Sequence, residues 1–582
     1  MLKIFYSFVA KNRLVFGVFI FLIIISSLSR SLIPYFYKLF INQLTTGDFS
    51  KVLYILLAYI GIRFFSLAVE VLSDMTGDVL LKESSADTRS SIFKYVQELD
   101  FAFHTNKSTG SLISAFKRGD GAFFNLFHHI HYRILSILVG FIVMVLFFTQ
   151  IDPIIGAAAI VSFFIMLALA KTIVAKNVAA RERFNNEEDK VSAVITDNLL
   201  GYETVKLFVK EDWEYRRMQK LLIKWKKRLW DYGMTFRFFD ISLGSVINIS
   251  IFLIMLFALN LYQKSSLQVG DVVLIVGFID TFYPRVFDLV WSFREIAKNY
   301  VDIQRYFGLL DYDIEVKDPE KPKKIVSVRG EIQFNKINFS YKEGKANAIR
   351  NLTLTVHQGQ SIALVGRSGS GKTTMVKLLM RFYDPDRGQI TIDGIDIKLL
   401  TKSGLRSLMG IVPQEPILFN NTIAYNIGYG KETASLSEIR AAAKIANIDD
   451  FIVTLPKKYQ TNVGERGIKL SGGQKQRLAI ARMILSDPDI IIFDEATSQL
   501  DSESENLIQD AFWKASKGKT TIIIAHRLST IMKADRIIVM DDGKIVESGS
   551  HTTLISDKTS LYSHFWKLQT KKLKKGSEQV IN

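Results

Sequence analysis

Long hydrophobic stretches dominate the first half of the chain, whereas the second half alternates short apolar runs with polar segments. A helix that crosses a bilayer needs about 20 mostly apolar residues. Stretches that meet this length are predicted to be transmembrane helices and lie at residues 14–40, 52–73, 132–150, 154–175, 238–262 and 270–293. The pattern therefore predicts an all-α membrane domain with six spans.

The connections between these stretches fall into two classes. Those near 42–51, 149–153 and 262–271 are short and carry few charges, whereas 74–131 and 176–237 are long, charged and helical in pattern. Because positively charged connections stay in the cytoplasm, both long connections and the basic N-terminus are predicted there. An even number of spans then returns the second half of the chain to the cytoplasm.

The hydrophobic pattern changes after the last predicted span. Residues 311–328 contain several Asp and Pro residues and read as a linker. Beyond them, alternating β and α signals predict a parallel sheet with crossover helices. We therefore expect a membrane domain over 1–310, the linker 311–328, an α/β nucleotide-binding domain with a helical subdomain over 329–570, and a basic tail at 571–582.

Charge and composition narrow the function. The 582 residues exceed what one hydrophobic core organises, and the net charge is +17. Lys and Arg cluster beside hydrophobic spans, at 176–190 and 206–228, which predicts contact with anionic membrane lipid and argues against nucleic acid as a partner. The chain has no Cys, which excludes a disulfide or thiolate metal site within it.

A phosphate-binding loop follows a short apolar strand at 361–365. The pattern G-x-x-x-x-G-K-[ST] requires a strand before the loop and a helix after it, as here. Its backbone N–H groups surround phosphates, its Lys bridges the β- and γ-phosphates, and its hydroxyl ligates Mg²⁺. The predicted ATP-binding residues are Gly366, Arg367, Ser368, Gly369, Ser370, Gly371, Lys372, Thr373 and Thr374.

A second strand ends in two carboxylates. The apolar run 490–493 is followed by Asp494 and Glu495. Downstream of a P-loop, an Asp in this place holds the Mg²⁺ shell. Glu495 is then placed to orient or deprotonate the attacking water as a general base. The sequence thus predicts a Mg²⁺-dependent ATPase.

The segment Leu-Ser-Gly-Gly-Gln at 470–474 resembles the signature of the ATP-binding cassette family, and the resemblance covers essentially the whole chain. It implies that Tyr341 stacks on adenine, that Gln414 contacts Mg²⁺ and the water, and that His526 contacts the γ-phosphate. It also implies that 461–467 senses the membrane domain. The segment 498–501 departs from the usual Ser-Ala-Leu-Asp through Gln499, which we expect to tune communication between subunits. Further nucleotide-binding residues implied by the resemblance are Ser471, Gly472, Gly473, Gln474 and Asp501.

In this family, each ATP lies between the P-loop of one subunit and the signature of the other. A chain with one set of motifs therefore resembles a half-transporter that needs a second copy. Because the catalytic motifs are intact, a homodimer is favoured over pairing with a degenerate partner. By resemblance, transverse helices near 103–114 and 202–212 would carry movement to the membrane domain, which works by alternating access.

The cytoplasmic connections are similar to the heavy-metal and glutathione-conjugate exporter branch, which includes mitochondrial exporters tied to iron–sulfur cluster assembly. The segments 99–104, 197–208 and 293–295 carry this resemblance. Two departures put glutathione itself in question. Ile251 stands where the branch has Gln after Asn248, and Arg285 follows Pro284 where the branch has Leu.

Charged residues occupy the predicted sixth span. A charge at the bilayer centre costs roughly 2.5–3.5 kcal/mol, so Asp280, Arg285 and Asp288 are expected to face a partner or a wet cavity. Arg285 and Asp288 could form an ion pair that fixes packing, or contact a substrate together with Asn248.

Two further polar groups have alternative interpretations. For Arg63 and Glu70 in the second span, a structural role is favoured over substrate binding. For His128, His129 and His131, an interfacial polar cluster is favoured over a metal site, because the sequence places no further ligand beside them.

The resulting hypothesis is an ATP-driven exporter of a thiol or metal conjugate, or of another polar anionic solute. The alternative is a broad multidrug or lipid exporter. An ATP-gated channel or regulatory subunit is disfavoured, because Glu495 and His526 are present. No signal or transit peptide precedes the first hydrophobic run, which favours a bacterial inner membrane. Expected partners are a second half-transporter, membrane lipid and a small-molecule substrate.

Overall fold

A computed structural model of the chain describes residues 1–44, 47–107, 109–264, 266–325, 328–341, 347–494, 502–524 and 531–568. The chain divides into two compact units. The first comprises Met1–Leu99 and His104–Asp313, and the second comprises Asp100–Phe103 and Ile314–Asn582. The second unit thus begins inside the predicted linker and also takes four residues from the first cytoplasmic connection.

In its described residues, the first unit is helical. Its α-helices in chain order, with α5 beginning in the second unit, are α1 (Leu2–Val9), α2 (Arg13–Ser31), α3 (Ile33–Leu44), α4 (Phe49–Glu98), α5 (Phe101–Asn106), α6 (Thr109–Phe127), α7 (Ser136–Ile151), α8 (Pro153–Leu200), α9 (Tyr202–Leu207), α10 (Glu211–Gln263) and α11 (Val269–Phe307). A π-helix, His128–Leu135, joins α6 to α7, and a 3₁₀ turn, Gly308–Asp311, follows α11.

Three helices are much longer than a bilayer is thick. Helices α4, α8 and α10 contain 50, 48 and 53 residues. At about 1.5 Å per residue, each exceeds twice the roughly 30 Å of a hydrocarbon core. Each therefore holds both a predicted span and much of a long cytoplasmic connection.

Among the described residues, five stretches are long and apolar enough to cross a membrane: Arg13–Leu44, Phe49–Glu98, Gly110–Ile151, Pro153–Leu199 and Glu211–Gln263. They contain the first five predicted spans. The sixth predicted span, 270–293, lies on α11. This helix is long enough to cross a membrane but is not among the stretches that are also apolar enough. The charged residues within 270–293 are Asp271, Asp280, Arg285 and Asp288.

A polar network joins α3 to the start of α11. The Lys38 ammonium lies 2.5 Å from the Asp271 carboxylate, which also accepts a hydrogen bond from the Gln268 backbone at 2.9 Å. Asn42 donates to the Gln268 side chain at 2.7 Å and accepts from the Gly270 backbone at 3.0 Å. These interactions fix the ends of two helices whose packing is otherwise apolar.

The second unit contains two sheets and short helices. Its strands are β1 (Ile332–Phe339), β2 (Ile349–Val356), β3 (Ser361–Val365), β4 (Arg387–Ile392), β5 (Ile395–Asp396), β6 (Met409–Val412), β7 (Ile490–Asp494), β8 (Thr520–Ile524), β9 (Arg536–Asp541) and β10 (Lys544–Gly549). Its further helices are α12 (Lys372–Leu379), α13 (Lys402–Ser407), α14 (Ile423–Gly428), α15 (Leu436–Ile445), α16 (Asp449–Thr454), α17 (Gly472–Ser486), α18 (Ser502–Ser516) and α19 (His551–Ser556).

The larger sheet explains where the nucleotide motifs lie. Its order is β10-β9-β3-β8-β7-β6, parallel except for β10, and β2-β1-β4-β5 form a separate antiparallel sheet. Alternate residues of β3 and β7 enter two buried clusters, with Ala363 and Phe493 in one and Ile362 and Ile492 in the other. The carboxyl ends of β3, β8 and β7 therefore meet at one edge, where α/β sheets bind ligands.

We expect Gly270→Ala to destabilise the polar network between α3 and α11. A Cβ atom there would lie 2.2 Å from the Asn42 side-chain oxygen and 2.7 Å from the Lys38 carbonyl oxygen. The cost should be about 1–3 kcal/mol, seen as a lower thermal unfolding midpoint. Gly61→Ala is the matched control, because nothing lies within 4 Å of its new Cβ. Equal midpoints for both variants would contradict the assigned role.

Candidate functional site: the nucleotide loop and the membrane-embedded charges

The P-loop depends on two glycines. Gly371 precedes α12 with φ +101°, in the left-handed region that favours glycine. A Cβ atom on Gly366 would lie 2.2 Å from the Met540 carbonyl oxygen, so a side chain does not fit. The loop consequently bends from β3 into α12 with its backbone N–H groups near the start of a helix, where anions bind.

Lys372 is the buried cation of this loop. Its ammonium donates to the carbonyl oxygens of Gly366 and Arg367, both at 2.9 Å, and to the Ser370 hydroxyl at 3.3 Å. Burial lowers the pKa of the Lys372 amine below the ordinary lysine value, and the nearby Asp494 carboxylate opposes this effect. A phosphate beside this amine would favour its charged form.

The remaining loop residues divide by exposure. Ser370 and Thr374 are buried, whereas Thr373 is exposed. Three further loop residues are exposed and therefore accessible to a ligand: Arg367, Ser368 and Gly369. The Thr374 hydroxyl lies 3.1 Å from the Tyr341 hydroxyl, which connects the helix to the aromatic residue assigned to adenine.

Tyr341 belongs to an aromatic group. Its ring packs edge-on against Phe339 at 5.0 Å and against Tyr383 at 5.3 Å. The Lys377 ammonium lies 6.0 Å from its centroid and 5.5 Å from that of Phe101. Phe101 in turn stacks on Phe382 at 4.6 Å.

Strand β7, which ends in Asp494, lies next to β8, and β8 lies next to the P-loop strand β3. Asp494 is the last residue of β7, is half-buried, and pairs in register with Ile524 at the end of β8. Gln414 is exposed, two residues beyond β6. The predicted Glu495, His526 and Asp501 lie outside the described residues, as does Gln499.

The signature segment begins a helix. Ser471 is the N-cap of α17, and its hydroxyl accepts from the Gln474 backbone at 3.3 Å. The Gln474 side chain accepts from the Ser471 backbone at 2.9 Å, which completes a capping box. Gly472 is exposed and Gly473 is buried. Sequence reasoning missed the capping box, although Ser-x-x-Gln spacing before a helix is its signal.

A short piece of the first cytoplasmic connection belongs to the second unit. The Asp100 carboxylate accepts from the backbones of Glu315 at 2.5 Å and Val316 at 3.3 Å. With the Phe101 stack, these contacts attach 100–103 to the nucleotide-binding unit. The predicted transverse helix at 103–114 differs from the structure, where α5 ends at Asn106 and α6 begins at Thr109.

The turn after α9, which lies in the second predicted cytoplasmic connection, is apolar and exposed. Within the predicted region 202–212, α9 ends at Leu207. Leu207, Phe208 and Val209 are 79%, 67% and 80% exposed. The segment 461–467 presents two exposed charges, Glu465 and Arg466, on a turn whose Val463 backbone donates to Asn421 at 3.1 Å.

In the membrane unit, the predicted ion pair between Arg285 and Asp288 is not formed. Asp288 instead lies 3.2 Å from Arg133 of the π-helix. Arg285 is half-buried, and its guanidinium faces α7, 3.9 Å from where a Cβ on Gly140 would lie. Positions three apart share a helix face, but neighbouring helices decide which charges meet.

Glu70 and Arg63 of the second predicted span each contact a different residue. Glu70 forms an ion pair with Arg30 of α2, which fits the favoured structural role of this carboxylate. Arg63 donates to the Tyr59 hydroxyl at 3.0 Å. Asn248 and Asp280 are exposed in the isolated chain.

The histidines take part in local hydrogen bonds. Ser292 donates to the Asp288 carbonyl oxygen, so its hydroxyl oxygen accepts from His129 Nδ1 at 3.1 Å. His131 Nδ1 donates to the Phe127 carbonyl oxygen at 2.9 Å. In the described part of the chain, no group of three or more His, Cys, Asp or Glu side chains could hold a metal ion.

Comparison with known proteins agrees with this arrangement. The "ABC transporter transmembrane region" family matches residues 16–285, and the "ABC transporter" family matches residues 349–498. An ATM1-type heavy metal exporter from Novosphingobium aromaticivorans is 33% identical over 94% of this chain and 91% of its own length. The chain belongs to the ABC transporter family.

Two further relatives refine the position within ABC transporters. A solved bacterial Atm1-family ABC exporter with ATP bound superimposes with a TM-score of 0.85 and 32% identity, covering 96% of this chain and 98% of that one. ATP-binding cassette sub-family B member 6 from Mesocricetus auratus is 35% identical over 94% of this chain. The chain spans 66% of the length of that relative.

Membership of the ABC transporter family gives the two units their classes. The first contains an ABC transporter transmembrane region, and the second contains the ATP-binding domain of an ABC transporter. The resemblance to the heavy-metal exporter branch is confirmed by these relatives.

We expect Lys372→Met to weaken ATP binding by tenfold or more, because it removes the buried cation that the P-loop motif predicts to contact phosphate. Binding to the intact protein should also fall at alkaline pH. Since burial lowers the pKa of Lys372, the amine loses its charge at a lower pH than an ordinary lysine. Fluorescent ATP titrations across pH measure both effects.

Two variants control this experiment. Lys444→Met removes an exposed lysine of α15 and should leave ATP binding unchanged. Lys372→Arg keeps its charge at every accessible pH, so whatever affinity it retains should not decline with pH. An alkaline decline that persists in Lys372→Arg would assign the titration to another group.

Proposed function

We propose that two copies of this chain form an exporter driven by hydrolysis of MgATP. The observation that carries the proposal is the exposed start of α17, where Ser471 and Gly472 present a helix N-terminus to solvent. Such an end attracts phosphate. By family resemblance, it faces the nucleotide held on a second copy's P-loop.

The apolar turn after α9 supports the dimer. Leu207, Phe208 and Val209 expose most of their surface at the end of a charged helical extension. Val209 also has φ +50°, which a β-branched residue rarely adopts. The backbone of Val209 donates to the Lys206 carbonyl oxygen at 3.2 Å, so the end of α9 fixes the turn. The exposed apolar side chains on this fixed turn suit a surface that a second copy's nucleotide-binding unit covers.

The residues near the P-loop fit a magnesium ion. Thr373, Gln414 and Asp494 offer a hydroxyl, an amide and a carboxylate, which are the oxygen donors that Mg²⁺ prefers. Bound there, the ion would neutralise charge on the phosphates. Lys372 binds the phosphates, Tyr341 supports adenine, and Ser471 with Gln474 orients the start of α17. The remaining proposed roles are those of Glu495 as general base, His526 at the γ-phosphate and Asp501 at the subunit contact.

We assign the transported solute to the polar anionic class, with thiol or metal conjugates as the first candidates. Within the predicted spans the cations outnumber the carboxylates; the cations are Arg30, Lys38, Arg63, Arg133, Lys171 and Arg285, and the carboxylates are Glu70, Asp240, Asp271, Asp280 and Asp288. A surplus of positive charge in apolar surroundings favours an anion. The proposed domains are 1–310, 311–328, 329–570 and 571–582, and the proposed site is a bacterial cell membrane with the nucleotide-binding domain in the cytoplasm.

One observation favours a second candidate, export of drugs or lipids. An apolar groove of about 450 Å³ lies between the C-terminal end of α10 and the start of α11. It is lined by residues that include Phe252, Leu256 and Val272. Such a groove suits an acyl chain or an amphipathic drug.

The catalytic assignment predicts that Glu495→Gln binds MgATP but hardly hydrolyses it. Without a general base, the closed dimer should accumulate, because hydrolysis normally reopens it. Phosphate release measures turnover, and cross-linking of engineered cysteines at 471 and 369 in separate copies measures closure. The chain has no native Cys to interfere. Near-normal turnover would remove Glu495 from this role.

For the substrate, we expect oxidised glutathione or its metal conjugates to stimulate ATPase activity saturably in lipid nanodiscs. A bound solute lowers the cost of closing the two units only if it interacts more strongly with one state. Glu495→Gln is the blank that removes contaminating ATPase activity. Stimulation by lipids or amphipathic cations, with none by thiol conjugates, would select the second candidate.

A further inference from the structure

A polar cavity in the membrane unit lies apart from the nucleotide-binding residues. It has a volume of about 450 Å³, and all of its lining residues belong to the first compact unit. Volumes of about 300–1,000 Å³ with a few polar groups at fixed points are typical of small-molecule sites. The polar residues that line it from α6, α8 and α11 are Ser111, Ser114, Arg118, Asp189, Asp302 and Arg305.

The cavity lies outside the predicted spans. Arg118 lies 14 residues before the third predicted span, Asp189 lies 14 residues after the fourth, and Arg305 lies 12 residues after the sixth. At about 1.5 Å per helical residue, each is roughly 20 Å from the end of its span. Lipid headgroups extend only about 5–8 Å beyond the hydrocarbon core on each side. With the predicted topology, the cavity therefore meets soluble molecules of the cytoplasm and not lipid.

A close contact between α6 and α11 fixes the backbone at the two arginines of the cavity. Arg118 and Arg305 each precede one residue of this contact, Gly119 and Tyr306. A Cβ atom on Gly119 would lie 2.2 Å from the Tyr306 ring, so the helices touch with no room for a side chain. Tyr306 also donates to the Asp120 carboxylate of α6 at 3.0 Å. Because the backbones that carry both guanidinium groups are already held, a ligand has less to order on binding.

The charged side chains of this wall are available to a ligand. In the part of the chain that the structure describes, no carboxylate oxygen lies within 4.0 Å of a nitrogen of Arg118 or Arg305, and no cationic nitrogen lies that close to Asp189 or Asp302. Each guanidinium can therefore donate a pair of hydrogen bonds to phosphate oxygens, and each carboxylate can accept from hydroxyl groups. Nearby charges of the same helices do form ion pairs, namely Asp120 with Arg89, Glu187 with Lys190, and Glu295 with Lys298.

Lys107 and Tyr312 add a cation and a hydroxyl to the wall. The Lys107 ammonium donates to the Tyr312 hydroxyl at 2.7 Å and lies 5.1 Å from the centroid of that ring. The Tyr312 carbonyl oxygen accepts from the Tyr95 hydroxyl of α4 at 2.7 Å. This part of the wall is therefore tied to a third helix, and it offers further hydrogen-bond donors to an anion.

We propose that this cavity binds a soluble phosphate monoester whose body carries hydroxyl groups, as a sugar phosphate does. Arg118 and Arg305 bind the phosphate, and Asp189 and Asp302 accept hydrogen bonds from the hydroxyl groups. A phosphate monoester carries about −1.5 to −2 charges at pH 7 and three acceptor oxygens, which suits two planar guanidinium groups. The site is distinct from the P-loop and from the predicted spans, so it goes beyond the proposed export function and does not depend on it.

The mixed charges of the wall predict selectivity among phosphates. Inorganic phosphate meets the two arginines but is also repelled by Asp189 and Asp302, and it has no hydroxyl-bearing body to offset that repulsion. A neutral sugar satisfies the carboxylates but leaves the arginines without an anion. A sugar phosphate satisfies both groups, so we expect it to bind about tenfold more tightly than either fragment.

Three probes test the site: glucose 6-phosphate, glucose and inorganic phosphate. Binding to the full-length protein in phosphatidylcholine nanodiscs is measured by titration calorimetry. We expect Arg118→Gln and Arg305→Gln each to weaken glucose 6-phosphate binding about tenfold, because each removes a charged hydrogen-bond donor. Lys117→Gln is the matched control, since it removes an exposed cation of α6 that does not line the cavity.

Asp302→Ala tests recognition of the hydroxyl groups. Loss of the negative charge affects glucose 6-phosphate and inorganic phosphate alike, whereas loss of the hydrogen-bond acceptor affects glucose 6-phosphate alone. The preference for glucose 6-phosphate over inorganic phosphate should therefore fall about fivefold. Binding of fluorescent ATP shows that each variant is folded, and gel filtration reports its oligomeric state.

Lys372→Met separates this site from the P-loop and should leave glucose 6-phosphate binding unchanged. Loss of binding in that variant would place the probe at the P-loop and overturn the proposal. The same conclusion follows from no saturable binding of glucose 6-phosphate, from unchanged binding in both arginine variants, or from an equal loss in Lys117→Gln.

Two further outcomes would assign the cavity to another occupant. Competition by phosphatidylglycerol added to the nanodiscs would make it a lipid headgroup site, contrary to its distance from the predicted spans. A changed oligomeric state in both arginine variants would make these residues subunit contacts. Because probe binding requires no ATP hydrolysis, the expected pattern can be obtained even if the proposed export function fails.

Discussion

The cost of a charge in hydrocarbon is the constraint on which the membrane unit depends. Lys38 with Asp271, Arg30 with Glu70, and Arg133 with Asp288 each join two neighbouring helices. Between helices in lipid, apolar contact alone gives little preference for one arrangement, because the lipid tails are equally apolar. Ion pairs choose the arrangement, since the wrong one leaves charges unpaired.

The nucleotide-binding unit solves a different electrostatic problem with backbone groups. The P-loop and the signature each lead into a helix N-terminus, the first behind the buried Gly371 and the second behind the exposed Ser471. Unsatisfied N–H groups at such ends attract phosphate oxygens. The two ends also differ, because Lys372 adds a full charge to one, while a capping box with Gln474 orders the other. We therefore expect the first end to bind phosphate strongly by itself, and the second to add affinity when a second copy closes over it as proposed.

Sequence reasoning found what local spacing determines. The P-loop, the strand before Asp494 and the first five spans follow from short motifs or continuous apolar runs, and the structure places them on the expected elements. Ion-pair partners were less accessible, because Arg285 and Asp288 share a helix face but Asp288 meets Arg133, which is 155 positions away in the chain. The sixth predicted span lies on α11, which is not among the stretches apolar enough to cross a membrane, so this span stays a prediction. Which charges form an ion pair depends on how the helices pack against each other, and the spacing of residues along one helix does not determine that packing.

Residues 100–103 belong to the nucleotide-binding unit, although the chain on both sides of them belongs to the membrane unit. The chain leaves α4, contributes Asp100 and Phe101 to the nucleotide-binding unit, and returns to the membrane unit at His104. Asp100 holds the backbone of the segment that begins this unit, and Phe101 stacks on Phe382. The neighbouring Tyr383 contacts both Phe101 and Tyr341, the residue assigned to adenine. Residues 100–103 therefore follow the 50-residue helix α4 almost directly in the chain and belong to the same aromatic group as Tyr341.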